Sequence, residues 1–316
     1  MRGSLAGLLC LAACYTPDIA PGVACAANGR CPEGQACVDR VCVIPGLIDA
    51  AVDAPIPDED GDGVPDMTDN CPAIANADQD NEDKDKFGDA CDPCPAFADD
   101  TPGDQDRDGV ADACDPNPML AGDRIELFEG FHKGLPSWMR TGTWTAADDA
   151  VQIDAPAETA QYMIVPASAT DRVQVFASVE IIAVATAIVH FFEVALPNDA
   201  ANNLGIGCEV FQPEPASGRY LSLWDGLNPT TNLPPRPPGR ELGQATFAWD
   251  VKSNYAVSLK RVGTSYTCRI TGPDGSVPLD ALGSSGSGAG LASPTVVIRA
   301  RSLVARVHWV MVVRSP

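Results

Sequence analysis

Residues 254–271 read Asn254-Tyr-Ala-Val-Ser-Leu-Lys-Arg-Val-Gly-Thr-Ser-Tyr-Thr-Cys-Arg-Ile-Thr271. Tyr255, Val257 and Leu259 alternate with Ala256, Ser258 and Lys260, a period of two that sends successive side chains to opposite faces of a strand. The run 264–271 follows directly. The same texture extends outward through 119–316, in runs rich in β-branched and aromatic residues: 125–128, 140–145, 160–165, 172–179, 205–211, 219–224, 244–249, 294–300 and 303–313. Gly, Pro, Asn and Asp separate them. Val296-Val-Ile298-Arg-Ala300-Arg also alternates, which predicts one buried face, while the more continuously apolar 173–196 predicts central strands. About a dozen strands without an amphipathic helical period indicate a mainly β chain ending in an antiparallel β-sandwich. Residues 226–240 and 282–293, rich in Pro, Gly and Ser, read as loop excursions.

Charge is distributed unevenly along the 316 residues. The net charge is −22, of which residues 53–120 carry −18, from 21 acidic and 3 basic groups. Such a block repels nucleic acid and itself, so it requires either bound cations or disorder. Twelve cysteines point to an oxidising compartment. Cys25, Cys31, Cys37 and Cys42 fall within 18 residues separated by Gly and Pro, a two-disulfide knot with three possible pairings. Residues 44–57, rich in Ala, Asp and Pro, suit an extended linker. Cys208 and Cys268 both sit in predicted strands and are expected to bridge, the alternative being two buried thiols.

At the N-terminus Arg2 precedes an apolar run from Leu5 to Ala13, too short to span a bilayer. Leu11-Ala-Ala-Cys14 resembles the bacterial lipobox. That resemblance implies a signal peptide over 1–13, acylation of Cys14, and an exported protein anchored through lipid in the outer membrane or cell surface. Tyr15 replaces the aspartate that resembles an inner-membrane retention signal. The competing reading is an ordinary signal peptide with an unrelated cysteine. No later apolar run is long enough for a transmembrane helix.

Residues 58–118 repeat internally. Asp58-x-Asp60-x-Asp62-Gly63, Asn81-x-Asp83-x-Asp85-Lys86 and Asp104-x-Asp106-x-Asp108-Gly109 recur every 23 residues, and Cys71/Cys94 and Cys91/Cys114 keep the same spacing. Calcium takes six to eight oxygens, and alternating carboxylates converge on it where Gly permits a sharp turn. Counted over twelve positions, the first block offers Asp58, Asp60, Asp62, the Val64 carbonyl, Asp66 and Asp69. The second offers Asn81, Asp83, Asp85, Asp89 and Asp92, and the third Asp104, Asp106, Asp108, the Val110 carbonyl, Asp112 and Asp115. The logic is that of an EF-hand loop, but Asp closes it instead of Glu and no helices flank it. A solvated acidic linker is the plain alternative, and it does not keep a period in both acids and cysteines.

The segments DEDGDGVPDMTDNCP, NADQDNEDKDKFGDACD and DQDRDGVADACD resemble thrombospondin type-3 repeats. The resemblance implies structural calcium, almost no apolar core, and the pairings Cys71–Cys91 and Cys94–Cys114. Asn81 and Lys86 depart from the pattern. Lys86 stands where the turn wants Gly, so the middle site is expected to be weak or empty. Ala111, Asp99 and Pro102 also replace the family's Gly, Asn and Gln.

In the sandwich, Phe128-Glu-Gly-Phe131, Gly134-Leu-Pro-Ser-Trp138 and Thr141-Gly-Thr-Trp144 resemble the opening of laminin-G and concanavalin-like jelly rolls. Residues 255–261 and 264–270 are similar to their late hairpin. The Glu-x-Asp-x-x-Glu run of the concanavalin-like glucanases is absent, and Glu180, Glu193 and Glu209 read as isolated among apolar neighbours. His132, His190 and His308 lack metal spacing and read as packed or surface residues. No nucleophile elbow or phosphate loop occurs, so the expectation is a protein that is not an enzyme. Of the five tryptophans, Trp224, beside Asp225-Gly226, is the candidate for an exposed sugar-stacking platform. The sequence thus predicts a lipid-anchored signal region (1–13), a cysteine knot (14–43), a linker (44–57), an irregular calcium-binding stalk (58–118) and a lectin-like head (119–316). The head is expected to bind a polysaccharide or surface protein. A spacer without ligand is the alternative, and a glycan-active enzyme comes third.

Overall fold

The computed structural model describes residues 24–26, 28–38, 40–44, 56–167, 170–185, 189–199, 204–213, 218–227, 240–272, 275–284 and 296–316. The signal peptide, Cys10, Cys14 and most of the 44–57 linker lie outside them. The chain divides into two units, Met1–Asp58 and Glu59–Pro316. In the first, β1 (Ala36–Val38) and β2 (Val41–Val43) form an antiparallel hairpin. Of the three possible pairings, the structure has Cys25–Cys37 and Cys31–Cys42. These interleaved bridges do the holding in a segment with too few apolar side chains for a core.

The second unit contains β3 (Arg124–Glu129), β4 (Thr143–Ala146), β5 (Val151–Val165), β6 (Arg172–Val184), β7 (His190–Asp199), β8 (Leu204–Gln212) and β9 (Tyr220–Leu227). It continues with β10 (Arg240–Thr246), β11 (Asn254–Val262), β12 (Ser265–Gly272), β13 (Gly275–Ser284) and β14 (Val296–Arg314). Among the described residues no helix forms. The twelve strands make one antiparallel sheet in the order β10-β9-β8-β7-β14-β6-β11-β12-β13, with β3 and β5 also paired to β14 and β4 to β5. The sheet curls so that its halves face each other over a core that includes Val194, Ile206, Val210 and Leu223 from one half and Val175, Val257, Leu259 and Ile270 from the other. The Cys208–Cys268 disulfide joins β8 to β12 across that core.

β14 is the pivot. Its first half pairs with β5 and β7, and its second half with β5, β6 and β3. The runs 294–300 and 303–313 are thus one bent strand instead of two. At Ser302 the backbone is left-handed (φ 55°) and the register against β5 shifts between Arg301 and Leu303, which is how a bulge redirects a strand. β13 was not foreseen. It carries Pro278 and lies at the end of the strand order, the place where a sheet tolerates proline.

The alternation read in β11 holds, with Tyr255, Val257 and Leu259 buried. In β14 both faces are buried, contrary to the single buried face expected of 296–301. Val310 and Val312 enter the main core, whereas Trp309, Met311 and Val313 meet the third repeat. There they pack with Phe176, Cys94, Ala96, Val110, Ala111 and Cys114, and with Phe97 at the edge. The repeats therefore lie along the back of the sandwich and do not stand clear of it, and they own a share of an apolar core. Each fully buried side chain of this size contributes about 1.5–3 kcal/mol. Ala111, which stands where the related repeats have Gly, supplies one of the contacting methyls.

Candidate metal centre

Each repeat folds into a loop of backbone turns held by its own aspartates. The carboxylate at the ninth position accepts the N–H of the second: Asp66 from Glu59 (2.8 Å), Asp89 from Glu82 (2.8 Å) and Asp112 from Gln105 (3.0 Å). The carboxylate at the fifth position accepts from the seventh and, through its other oxygen, from a residue fourteen further on. Asp62 takes the N–H groups of Val64 and Asn76, Asp85 those of Phe87 and Asp99, and Asp108 those of Val110 and Gly122. The twelfth-position carboxylates accept from the residue two beyond: Asp69 from Cys71, Asp92 from Cys94 and Asp115 from Asn117. Cys71–Cys91 and Cys94–Cys114 close the loops.

These bonds use only part of the oxygen inventory. Asp69 Oδ2, Asp83 Oδ2, both carboxyl oxygens of Asp106, and Asp115 Oδ2 are buried without a hydrogen-bond partner. Buried acceptors at that density are costly unless something positive meets them. Carboxylate oxygens of Asp104, Asp106 and Asp108 lie within 4.8 Å of one another, as do those of Asp83, Asp85 and Asp92, and those of Asp108, Asp115 and Asp123. Hard oxygen donors without nitrogen or sulfur suit calcium. The donors fit such an ion, which would supply the positive charge that the loops lack. Of the residues read as ligands, Asp60, Asp62, Asp83, Asp85, Asp92, Asp104, Asp106, Asp108 and Asp115 converge with neighbouring carboxylates. Asp66, Asp89 and Asp112 each spend one oxygen on a backbone N–H of their own loop. Asp58 is the last residue of the first unit.

The middle loop differs from expectation. Lys86 does not take a left-handed φ; the left-handed residue is Lys84 (φ 66°), matched by Gly61 (76°) and Arg107 (66°) at the same fourth position. Gly63 and Gly109 are left-handed at the sixth (both 95°), where the middle loop relaxes. Lys86 donates its N–H to Asp100 and lays its ammonium over the Phe87 ring, 4.8 Å from the centroid. Asn81 braces the loop, donating to the Asp85 carbonyl (2.8 Å) and accepting from Lys84 N–H (2.6 Å). Its three carboxylates still converge, so neither substitution opens the loop.

Without a cation the clustered acids resist ionisation. Burial, reinforced by neighbouring aspartates, pushes Asp92 up to about 6, and burial and the adjacent Asp123 push Asp115 up to about 7. Asp83, Asp89 and Asp106 are raised, chiefly by desolvation. Glu82 rises to about 8 through burial and the charges of Asp89 and Asp149. His132 reaches into this group from the sandwich, with Nε2 3.3 Å from Glu82 and 3.6 Å from Asp89. Lys133 pairs with Asp78 at 2.6 Å and holds that carboxyl below its usual range.

Asp123 is the residue missed in the sequence. It stands immediately before β3, beyond the third cysteine-bounded repeat, yet its carboxylate joins those of Asp108 and Asp115. The signal was present, because Asp100 and Asp123 are again 23 apart.

Three further features lie on the sandwich. Glu193 and Glu209 are not isolated: they are register partners on β7 and β8, both fully buried, and Glu193 binds Arg299 of β14 (Nε to Oε2, 2.7 Å). Glu180 lies 3.9 Å from Arg306 and 3.8 Å from His308. His190 is buried with Nδ1 3.0 Å from the Ser302 carbonyl. Trp224 is half-buried within β9 and is not an open platform; Trp249, Trp144 and Trp309 are buried. A groove of about 350 Å³ runs between the third repeat and β6, β11 and β12, lined by Phe97, Phe176, Gln174, Ser258, Lys260 and Arg269 among others.

Comparison with known proteins bears on these regions separately. Residues 53–79 match the family model described as Thrombospondin type 3 repeat. No curated protein matches the chain. Among solved structures, it is similar to the carbohydrate binding module CBM66 from Bacillus subtilis, with 14% identity and a TM-score of 0.40 over 54% of this chain and 91% of that one. It is also similar to lectin II from Ulex europaeus, with 11% identity and a TM-score of 0.43 over 60% and 100% of the two chains. A third similar structure is described as "Prominent members of the human gut microbiota express endo-acting O-glycanases to initiate mucin breakdown" (9% identity, TM-score 0.45, covering 61% and 100%).

Proposed function

We propose that this is an exported calcium-binding protein whose ions fix the acidic repeats along the back of a β-sandwich, and that the sandwich binds a polysaccharide or a surface protein without catalysing a reaction. The observation that carries the calcium reading is the set of buried, partnerless carboxylate oxygens on Asp69, Asp83, Asp106 and Asp115. The loops are braced by their own hydrogen bonds and still leave those oxygens buried and unmet. A divalent cation satisfies them, and extracellular modules of this kind bind in the range of about 10⁻⁴–10⁻³ M. Chelation tests it. With EDTA the circular dichroism of the full chain should change and residues 59–118 should become protease-sensitive; identical spectra and digestion patterns with and without calcium refute the reading.

The groove beside the third repeat supports the binding role, because amide, hydroxyl and cationic side chains there stand beside two aromatic rings. Polar ligands with apolar faces, such as sugar rings, suit that mixture. A glycan array probed with the full chain in millimolar calcium tests this, and no hit on any glycan favours the spacer reading. In the same proposal Cys14 carries the lipid that holds the protein at the outer membrane or cell surface. Labelling with an alkynyl fatty acid, lost in Cys14→Ser, checks the anchor.

A further inference from the structure

We propose that Asp123 completes a separate calcium site with Asp108 and Asp115, and that this ion locks the sandwich to the last repeat. The inference rests on the calcium reading above and adds a ligand from outside the repeats.

Oxygens of the three carboxylates lie within 4.8 Å of one another. Asp123 retains 2% of its exposure and Asp115 retains 9%, and Asp115 Oδ2 has no hydrogen-bond partner. Its other oxygen is occupied by the Asn117 N–H. Asp123 accepts from Asn117 Nδ2 (3.1 Å), and its own N–H donates to Asp108 Oδ2 (2.6 Å). Lys260 approaches the pair, but its ammonium donates to the Pro116 carbonyl. Two nearly buried carboxylates, one of them with an oxygen bare, thus face the Asp108 carboxylate, an arrangement that a hard divalent cation satisfies and that water reaches poorly.

The position gives the ion a mechanical role. Asp108 and Asp115 belong to the third loop, while Asp123 directly precedes β3, which pairs with the C-terminal end of β14. Asn117 also donates to Ser315 Oγ (2.9 Å), so the same corner holds the close of β14. Binding calcium here ties one end of the sandwich sheet to the repeat. The sandwich then draws part of its stability from the ion.

The test counts ions and measures melting on the full oxidised chain. Wild type, Asp123→Asn and Asp115→Asn are equilibrated with calcium, and bound metal is measured per chain. Asp123→Asn preserves shape and should bind one ion fewer, with a calcium-dependent rise in Tm smaller by about 3 °C or more. In EDTA it should melt at or above the wild type, because a like charge has gone. Asp115→Asn should show the same loss, which guards against a fault peculiar to one variant. If both variants bind as many ions as the wild type and keep the full rise, this site is refuted while the loops stand. If the wild type itself binds no calcium, the calcium reading falls instead.

Discussion

At the fourth position of each loop Gly61, Lys84 and Arg107 are left-handed, so Lys84 and Arg107 carry a backbone strain that Gly61 escapes. A non-glycine residue there costs about 1–2 kcal/mol, partly offset by the entropy Gly loses on folding. Lys84→Gly should therefore raise stability in calcium by about 0.5–1 kcal/mol, read as an upward shift in Tm. Lys86→Gly should bring no such gain, because Lys86 is not left-handed. The carboxylates make a second prediction. Asp92, Asp115 and Glu82 hold their protons up to about 6, 7 and 8 in the metal-free fold. The folded state then binds more protons than the unfolded chain from about pH 4 upward, so stability falls as pH rises through that window. In EDTA the Tm should drop between about pH 5 and pH 8. Calcium should abolish or reverse the trend, since metal needs the ionised ligands.

At the scale of elements, β14 shows why a strand with alternating pattern can be buried on both faces. Val310 and Val312 fill the sandwich, while Trp309, Met311 and Val313 receive the third repeat. Phe97 caps this contact, edge-on to Phe176 (5.8 Å) and to Trp309 (5.7 Å). Phe97→Ala should cost about 3 kcal/mol and make residues 59–118 protease-sensitive even in calcium, because it removes apolar docking and leaves the ion ligands intact. Replacing both Cys208 and Cys268 with Ala acts on a different joint. It unlinks β8 from β12, and chemical denaturation should report a loss of about 2–4 kcal/mol.

For the molecule as a whole, acidic repeats and sandwich form one structural system. The repeats contribute charge that, in the proposed reading, metal satisfies, and a small apolar surface that packs on β14. On that reading the two means of attachment respond to different conditions, calcium to chelators and the apolar contact around Phe97 not. The 23-residue period made the loops and their carboxylates readable, and the period-two runs made the strands of the sandwich readable, with β11 the clearest case. β13 escaped because Pro278 and the Gly and Ser residues at both ends of Gly275–Ser284 read as loop and masked the short alternation of Val277, Leu279 and Ala281. The pairing of Glu193 with Glu209 escaped because neighbouring strands bring together residues sixteen apart that no local pattern relates.

By itself the sequence determined the class of fold, the twelve-position loops, and the kind of ion they suit, since these follow from spacing along a chain whose local geometry is regular. Only the tertiary structure decided that Lys84 and not Lys86 bears the left-handed turn, that the repeats dock on Trp309, and that Asp123 joins Asp108 and Asp115. Those outcomes depend on surfaces meeting across the fold. A repeat that lacks a core in isolation acquires one when a sheet presents its second apolar face, and nothing in the spacing of aspartates records that meeting.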